Sequence, residues 1–482
     1  MSIIGKKQNQ VTIQVIGGNS ESVTGSCSVI SYNGNTALFE CGTIQDGKTV
    51  KENYELNKKL ISSIKNKSNI KYIFLGHAHA DHSCNIPALY KYNCNAKIIV
   101  PSGTSKILKE MWLDSSYINQ RDTEHLNYKF NKKYEPLYTD DEVYRALSYM
   151  EEYPFHEIIK LDDQLSFRFV HAGHILLSAQ TELFVSYKNT TKKVTFTSDL
   201  GNPILNDTKI FVDKFEPVTK SNIVIGECTY SAKNRSMNKK DLQNDINKIK
   251  SVIQQFCVTN GKTVVIPCFS LDRMPYILWL IYSIFGNDEN FRIPIIVDSP
   301  LSIRLLNVYS ELMQGEAKEK FDEMMGWKNI KFSYTPEDSV GYMSDNKAKC
   351  VLSSSGMLTA GRSVKWVQHV LPYTDNCIMF IGFATSNTLA YKIKNYKKQK
   401  TININGKPVK NKCQIVDLHS FSSHMQRNEL LNYYSSIVAD KIYLVHSDKN
   451  KIEFAQDLRN KISDKLKTTK VICVNRSTKI NV

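Results

Sequence analysis

Three histidines and an aspartate stand within one short run, Gly76-His77-Ala78-His79-Ala80-Asp81-His82. The run follows Tyr72-Ile73-Phe74-Leu75, an apolar, β-leaning segment that reads as a buried strand. Imidazole nitrogens and a carboxylate at one strand-to-loop edge are ligands that borderline cations such as zinc prefer. A lone histidine is an ordinary core or surface residue; four ligand-type side chains at this spacing predict a metal site. Three further apolar runs end in the same kind of side chain. Phe169-Val170-His171-Ala172-Gly173-His174 ends in histidine, Val194-Thr195-Phe196-Thr197-Ser198-Asp199 in a carboxylate, and Ile442-Tyr443-Leu444-Val445-His446 in histidine. Singly, His174 or His446 is a polar strand end. Together with residues 77–82, these strand ends predict one site gathered at a sheet edge.

The order His-x-His-x-Asp-His, Ala-Gly-His, Ser-Asp-Leu-Gly resembles the metallo-β-lactamase fold. Later motifs narrow the likeness to the β-CASP nucleases: Glu227-Cys228-Thr229-Tyr230, Ile266-Pro267-Cys268-Phe269 running to Arg273, Asp298-Ser299-Pro300-Leu301, Ser354-Ser355-Gly356-Met357-Leu358 with Gly361-Arg362, Phe421-Ser422-Ser423-His424, and Leu444-Val445-His446. Tyr134-Glu135-Pro136-Leu137-Tyr138-Thr139 is similar to bacterial members. The likeness covers nearly the whole chain in order. It is nearest to compact bacterial and archaeal RNA-processing hydrolases, relatives of RNase J and of the endonuclease that cleaves pre-mRNA 3′ ends.

The resemblance implies two zinc ions per chain. His77, His79 and His174 would hold one, Asp81, His82 and His446 the other, and Asp199 would bridge them. It implies hydrolysis of RNA phosphodiester bonds by a two-metal-activated water, with Asp81, Glu227 and His424 as catalytic residues. Two cations about 3.5–4 Å apart can clamp a phosphodiester and activate water near neutral pH. His424 would be the general acid, since protonating a departing alkoxide needs a group that titrates near neutrality. Glu227 would pair with it and favour the imidazolium.

Several positions depart from the family pattern. Glu40 stands where Asp is usual; it would orient a ligating histidine rather than bind metal. Met425 and Gln426 replace an Ala-Asp pair after the general acid. Leu177, Ser198 and Ser231 stand where glycine is common, and each could crowd a backbone approach.

The elements that must position these residues divide in two, as a chain of 482 residues suggests. A β meander opens at Val11–Gly18, residues 51–69 and 85–93 read as helical, and a charged helical arm covers about 102–150. Strands return between 157 and 199. After residue 202, strands at 222–228, 262–268, 293–298 and 349–353 alternate with helices at 239–257, 273–286 and 300–323, the pattern of a parallel sheet. The expected fold class is α/β: a metallo-β-lactamase αββα sandwich in residues 1–209 and 396–482, with a parallel α/β β-CASP domain inserted at 210–395. The site would lie in the cleft between the two.

Chemistry also nominates phosphate-binding residues. Ser354, Ser355 and Gly356 form a Ser/Gly loop after a strand and offer backbone donors, with Arg362 and Arg273 as nearby guanidinium groups. Lys392, Lys394, Lys397, Lys398 and Lys400, beside Tyr391 and Tyr396, would track a nucleic-acid backbone or form a solvated face.

Composition agrees with these expectations. The 63 basic and 47 acidic residues give a net charge of +16, which favours polyanionic partners or reflects a Lys- and Asn-rich composition. An odd count of eleven irregularly spaced cysteines fits small core residues in a reducing compartment rather than a disulfide framework. Met1–Gln8 turns polar at once, and the apolar stretch Ile277–Phe285 is too short to span a bilayer, so a cytoplasmic protein with no membrane segment is expected. RNA, in single strands that thread to a buried site, is the expected partner, and the likeness also allows a homodimer. Endonucleolytic and 5′-exonucleolytic action stay open. The rival readings are a DNA-directed nuclease of the same superfamily, against which His446 argues, and a metal-binding scaffold of low activity.

Overall fold

The computed structural model describes residues 11–19, 22–187, 190–232, 238–396, 400–447, 451–465 and 468–482. Lys397, Lys398 and the N-terminal Met1–Gln8 lie outside the described residues. Two compact units emerge. One takes Met1–Pro203, Val212–Arg235 and Ser423–Val482; the other takes Ile204–Phe211 and Ser236–Ser422.

The first unit is a sandwich of two mixed sheets. Alternating segments such as Thr12–Gly17 and Cys27–Tyr32 pair antiparallel and place every second side chain inward. Their sheet continues through Asn35–Phe39, Ile70–Phe74, Lys97–Pro101 and Met150–Tyr153, with Lys479–Asn481 on the opposite edge. The second sheet runs Lys470–Cys473, Val438–Ser447, Lys220–Cys228, Thr190–Phe196, Ala179–Tyr187, Leu165–His171, Ile159–Lys160. Ile13, Val15, Ile30, Phe39 and Phe74 from one face meet Phe167, Phe169, Val194, Phe196 and Ile225 from the other. Phe39 stacks on Phe196 at 4.2 Å between ring centroids. The outer face of the second sheet buries Val224, Ile442 and Leu444 against Leu430 and Tyr434 of the helix Arg427–Ser436 and Phe454 and Leu458 of the helix Lys451–Ser463. The helices Val50–Ser63 and Thr104–Phe130 pack on strands of the first sheet. The expected helical arm is thus two helices. Asn131 ends the long one with left-handed backbone (φ 47°), and Asp140–Ser148 restarts behind a Thr139/Glu142 capping box.

The second unit holds a six-stranded sheet ordered Ile330–Phe332, Ile295–Asp298, Lys349–Ser353, Thr263–Pro267, Cys377–Phe380, Gln414–Asp417, with every pair parallel. Helices such as Arg273–Phe285, Pro300–Leu312 and Arg362–Val370 cover it, as apolar strands without alternation require.

Two boundaries differ from the sequence expectation. Residues 222–228 belong to the first unit, because Lys220–Cys228 pairs in parallel with Thr190–Phe196 and with Val438–Ser447. Residues 401–422 stay with the second unit. Gln414–Asp417 extends its sheet beside Cys377–Phe380, and Ile402, Ile404 and Val409 bury in its core. The chain therefore returns to the first unit at Ser423 rather than at 396.

Candidate metal centre

The strand Ile70–Phe74 delivers the run 77–82 to the edge of its sheet, where a four-residue helical turn, Ala80–Ser83, aims Asp81 and His82 back over the strand end. Gly76 has no room for a side chain: a Cβ there would lie 2.4 Å from Ser198 Oγ. His174 follows the strand Leu165–His171, Asp199 follows Thr190–Phe196, and His446 lies near the end of Val438–Ser447. His424 arrives from a different direction. It forms an antiparallel bridge with Gly201, and Met425 N–H donates to Leu200 O, which sets the imidazole beside Asp199.

All seven side chains nominated as ligands come together, in two clusters that share Asp199. His77 Nε2 lies 3.0 Å from His79 Nδ1, and His174 Nε2 lies 3.3 Å from the same nitrogen. Asp199 Oδ2 is 3.6 Å from both His77 Nε2 and His174 Nε2. On the other side, Asp81 Oδ2 is 3.8 Å from His82 Nε2 and 3.7 Å from His446 Nε2. Asp199 reaches this group too: Oδ2 is 3.3 Å from His82 Nε2, and Oδ1 is 3.5 Å from His446 Nδ1. Ligands about 2.0–2.1 Å from a tetrahedral ion stand roughly 3.3–3.4 Å apart, close to these spacings.

Buried polar atoms normally have partners, and leaving them unpaired is costly. Here His82 Nε2, Asp199 Oδ1 and His446 Nε2 are buried with no hydrogen-bond partner among the described residues. Nitrogen and carboxylate donors converging without partners are a set built for divalent cations of the zinc type.

The supporting contacts fix ring orientations. His82 Nδ1 lies 2.7 Å from Glu40 Oε2, Ser198 Oγ donates to Glu40 Oε1 at 2.6 Å, and Ser198 Oγ also lies 3.0 Å from His77 Nδ1. Glu40 and Ser198, two departures from the family pattern, therefore bond to each other and join one histidine of each cluster. Thr229 Oγ1 lies 2.9 Å from His446 Nδ1, and His174 Nδ1 lies 3.3 Å from Ser423 O. Sequence reasoning nominated neither Ser198 nor Thr229 for these contacts; their only signal was adjacency to Asp199 and membership of the Glu-Cys-Thr-Tyr motif.

Four non-glycine residues hold left-handed backbone around the centre: Glu40 (φ 62°), Leu177 (φ 60°), Ser198 (φ 49°) and His446 (φ 48°). Leu177 and Ser198 are positions where glycine is common in the family, and their conformation is the one glycine adopts freely. Ser231 does not share it. Met425 is buried in the core behind the second sheet, and Gln426 opens the helix Arg427–Ser436, its N–H donating to Glu429.

Charges follow from this packing. Burial, reinforced by His82, holds the pKa of His77 well below the usual histidine value. Burial also opposes charging of His82, but Asp199, Glu40 and Asp81 outweigh it and raise its pKa well above that value. His424 behaves similarly: burial lowers its pKa, and Asp199 and Glu227 more than restore it. Its Nδ1 lies 3.5 Å from Glu227 Oε1. Glu227 is itself fixed, with Oε1 accepting from Leu200 N–H at 3.1 Å and Oε2 from Thr229 N–H at 2.8 Å.

The nominated phosphate-binding residues all lie in the second unit, and most are satisfied internally. Ser354 Oγ lies 2.7 Å from Ser299 Oγ. Ser355 Oγ accepts from Thr359 N–H at 3.1 Å and donates to Ala360 O at 3.1 Å, closing its own loop. Gly361 (φ +85°) lets Ser354 O come within 2.4 Å of where a Cβ would stand. Arg362 spends its guanidinium on Asp298 (2.6 Å), Ser333 O and Tyr334 O, so its position is explained by the fold. Arg273 donates from Nη1 to Ile381 O, while its Nε is buried without a partner among the described residues. Of the basic run, Lys394 pairs with Asp417 at 2.7 Å and Lys400 lies over the Tyr396 ring.

Comparison with known proteins agrees with this geometry. Residues 275–393 match the Beta-Casp domain, and residues 408–473 match the Zn-dependent metallo-hydrolase RNA specificity domain. The chain is a metal-dependent hydrolase that carries the Beta-Casp and RNA-specificity domains and is similar to RNA-processing nucleases. It is 24% identical over 445 residues to Ribonuclease TTHA0252 of Thermus thermophilus, covering 90% of this chain and 93% of that one. It is 23% identical over 456 residues to Endoribonuclease YSH1 of Saccharomyces cerevisiae, covering 90% of this chain but only 54% of the yeast protein. A solved structure of a protein of unknown function from Enterococcus faecalis V583 superposes with a TM-score of 0.53 at 12% identity, covering 98% of this chain and 100% of that one, a likeness of fold alone. No helix among the described residues is long and apolar enough to cross a membrane.

Proposed function

We propose that this protein is a zinc-dependent ribonuclease that hydrolyses phosphodiester bonds in single-stranded RNA, acting in the cytoplasm. The observation that carries the reading is Asp199, whose two carboxylate oxygens face imidazoles of both histidine clusters. His77, His79 and His174 would hold one zinc ion, Asp81, His82 and His446 a second, and Asp199 both. When bound there, zinc supplies Lewis acidity that activates water near neutral pH and neutralises charge on phosphoryl oxygens.

The remaining work falls to the chain's own residues. Glu227, held by two backbone amides, keeps the Nδ1 proton of His424 and fixes the ring. The opposite nitrogen, Nε2, then presents its proton to the leaving oxygen as the P–O bond breaks. Asp81, whose side chain is 27% exposed against 2% for Asp199, takes the proton released by the attacking water. Glu40 and Ser198 hold His82 and His77 in register through buried hydrogen bonds. Eleven free cysteines, ten of them buried, support the cytoplasmic assignment.

The test pairs metal analysis with cleavage of 5′- and 3′-labelled single-stranded RNA and DNA. Two zinc ions per centre with RNA cleavage are expected, and the label pattern separates endonucleolytic from 5′-exonucleolytic attack. Cleavage of DNA alone, or full metal occupancy without turnover on either substrate, would overturn the reading.

A further inference from the structure

A second group of metal-type ligands lies in the first unit, apart from the centre described above. His156, His171 and Glu216 offer ligand atoms that all lie within 4.8 Å of one another. His156 Nδ1 is 3.6 Å from Glu216 Oε2, and His171 Nδ1 is 3.5 Å from Asp213 Oδ2. These spacings exceed an N–H···O hydrogen bond, about 2.7–3.2 Å. They approach the roughly 3.3–3.4 Å edge of a tetrahedron of ligands about 2.0–2.1 Å from zinc. His171 Nδ1 is buried with no hydrogen-bond partner among the described residues.

The group is braced as an ion site should be. Phe155 stacks on the His171 ring at 3.8 Å with 18° between planes, which fixes the imidazole's orientation. Glu216 N–H donates to His171 O at 3.0 Å, and Gln180 Nε2 donates to Glu216 O at 2.7 Å, tying the carboxylate-bearing segment to the strand end. His156 N–H donates to Phe169 O at 2.9 Å, tying the third segment to the same strand. His156 holds left-handed backbone (φ 71°), a conformation uncommon for a non-glycine residue, and it keeps the ring beside His171 at 5.3 Å between centroids. Burial holds the pKa of His171 below the ordinary value against the pull of Asp213 and Glu216.

We infer that His156, His171 and Glu216, with Asp213 as a fourth ligand, form a separate site for a divalent transition-metal ion of the zinc class. Two imidazoles with one or two carboxylates select Zn²⁺ and its neighbours over Mg²⁺ or Ca²⁺, which want oxygen alone. The ion ties residues 156 and 213–216 to the end of the strand Leu165–His171. That strand end opens the loop carrying His174, so the ion stiffens one approach to the main centre.

The test is zinc retained per chain after equilibration of the full protein in buffer holding a small excess of free zinc. The wild type should hold one equivalent more than His156→Ala and one more than Glu216→Gln. Glu216→Gln keeps volume, and His156 is 55% exposed, so neither change should threaten folding, which a thermal melt of each variant checks. Substituting Co²⁺ gives a second readout: the visible absorption of the wild type should fall by one site's share in each variant. Equal zinc content in wild type and both variants, or a wild type with no zinc beyond the main centre, overturns the proposal.

Discussion

The strand ends of the first unit and the Ser354–Gly356 loop of the second both offer polar groups past a buried strand, yet they end differently. At the first, imidazoles and carboxylates converge while several of their buried atoms stay unpartnered. At the second, Ser355 hydrogen-bonds within its own loop, and Arg362 is consumed by Asp298 and two carbonyls. The kinds of residue nominate both regions, and the state of their donors separates them. Groups that the fold has already satisfied hold the fold; groups that it buries and leaves open are set for something else.

That difference can be broken by mutation. Removing Asp199, the carboxylate common to both clusters, should have the largest effect: Asp199→Ala should lose metal from both and cut turnover by more than about 10⁴-fold, read by metal analysis and RNA cleavage together. His424→Ala should cost about 10²–10⁴-fold in kcat while metal content stays at the wild-type level; metal loss in this variant would refute its assignment as proton donor. Glu40→Gln should weaken metal affinity by about 10–100-fold through His82, measured by competition with a chromogenic chelator. Ser198→Gly should weaken it less. It removes the link to His77 and a partner of the buried Glu40 but relieves left-handed backbone, so its Tm should change little. Arg362→Ala should touch catalysis least. It leaves Asp298 buried without its cation and should cost about 3 kcal/mol in stability by denaturant titration, with metal content unchanged. A large loss of metal in that last variant would erase the distinction between the two regions.

Much of the centre was legible in the sequence because its ligands sit beside apolar runs. His77, His79, Asp81 and His82 share one strand end, and His174, Asp199 and His446 each follow a β segment that announces itself. The bond from Ser198 to Glu40 was not legible, because it joins residues 158 apart in sequence and depends on a backbone conformation that composition does not report. The contact between Arg362 and Asp298 is hidden for the same reason. At the level of fold, βαβ alternation announced the parallel sheet, but local pattern could not say which sheet a strand joins. Lys220–Cys228 reads like the strands that follow it and yet pairs with Val438–Ser447, more than two hundred residues later. Nor could pattern show that Gln414–Asp417 extends the second unit's sheet, since that depends on a parallel neighbour, Cys377–Phe380, outside the local window. The cluster at His156 escaped notice because its ligands come from three segments with no shared motif.

The most direct test of the metal centre is anomalous diffraction at the zinc absorption edge from crystals of the purified full chain. The account predicts two peaks flanking the Asp199 carboxylate, one about 2.0–2.1 Å from ligand nitrogens of His77, His79 and His174, the other the same distance from those of His82 and His446. A crystal grown with zinc that shows no peak beside Asp199 would contradict it.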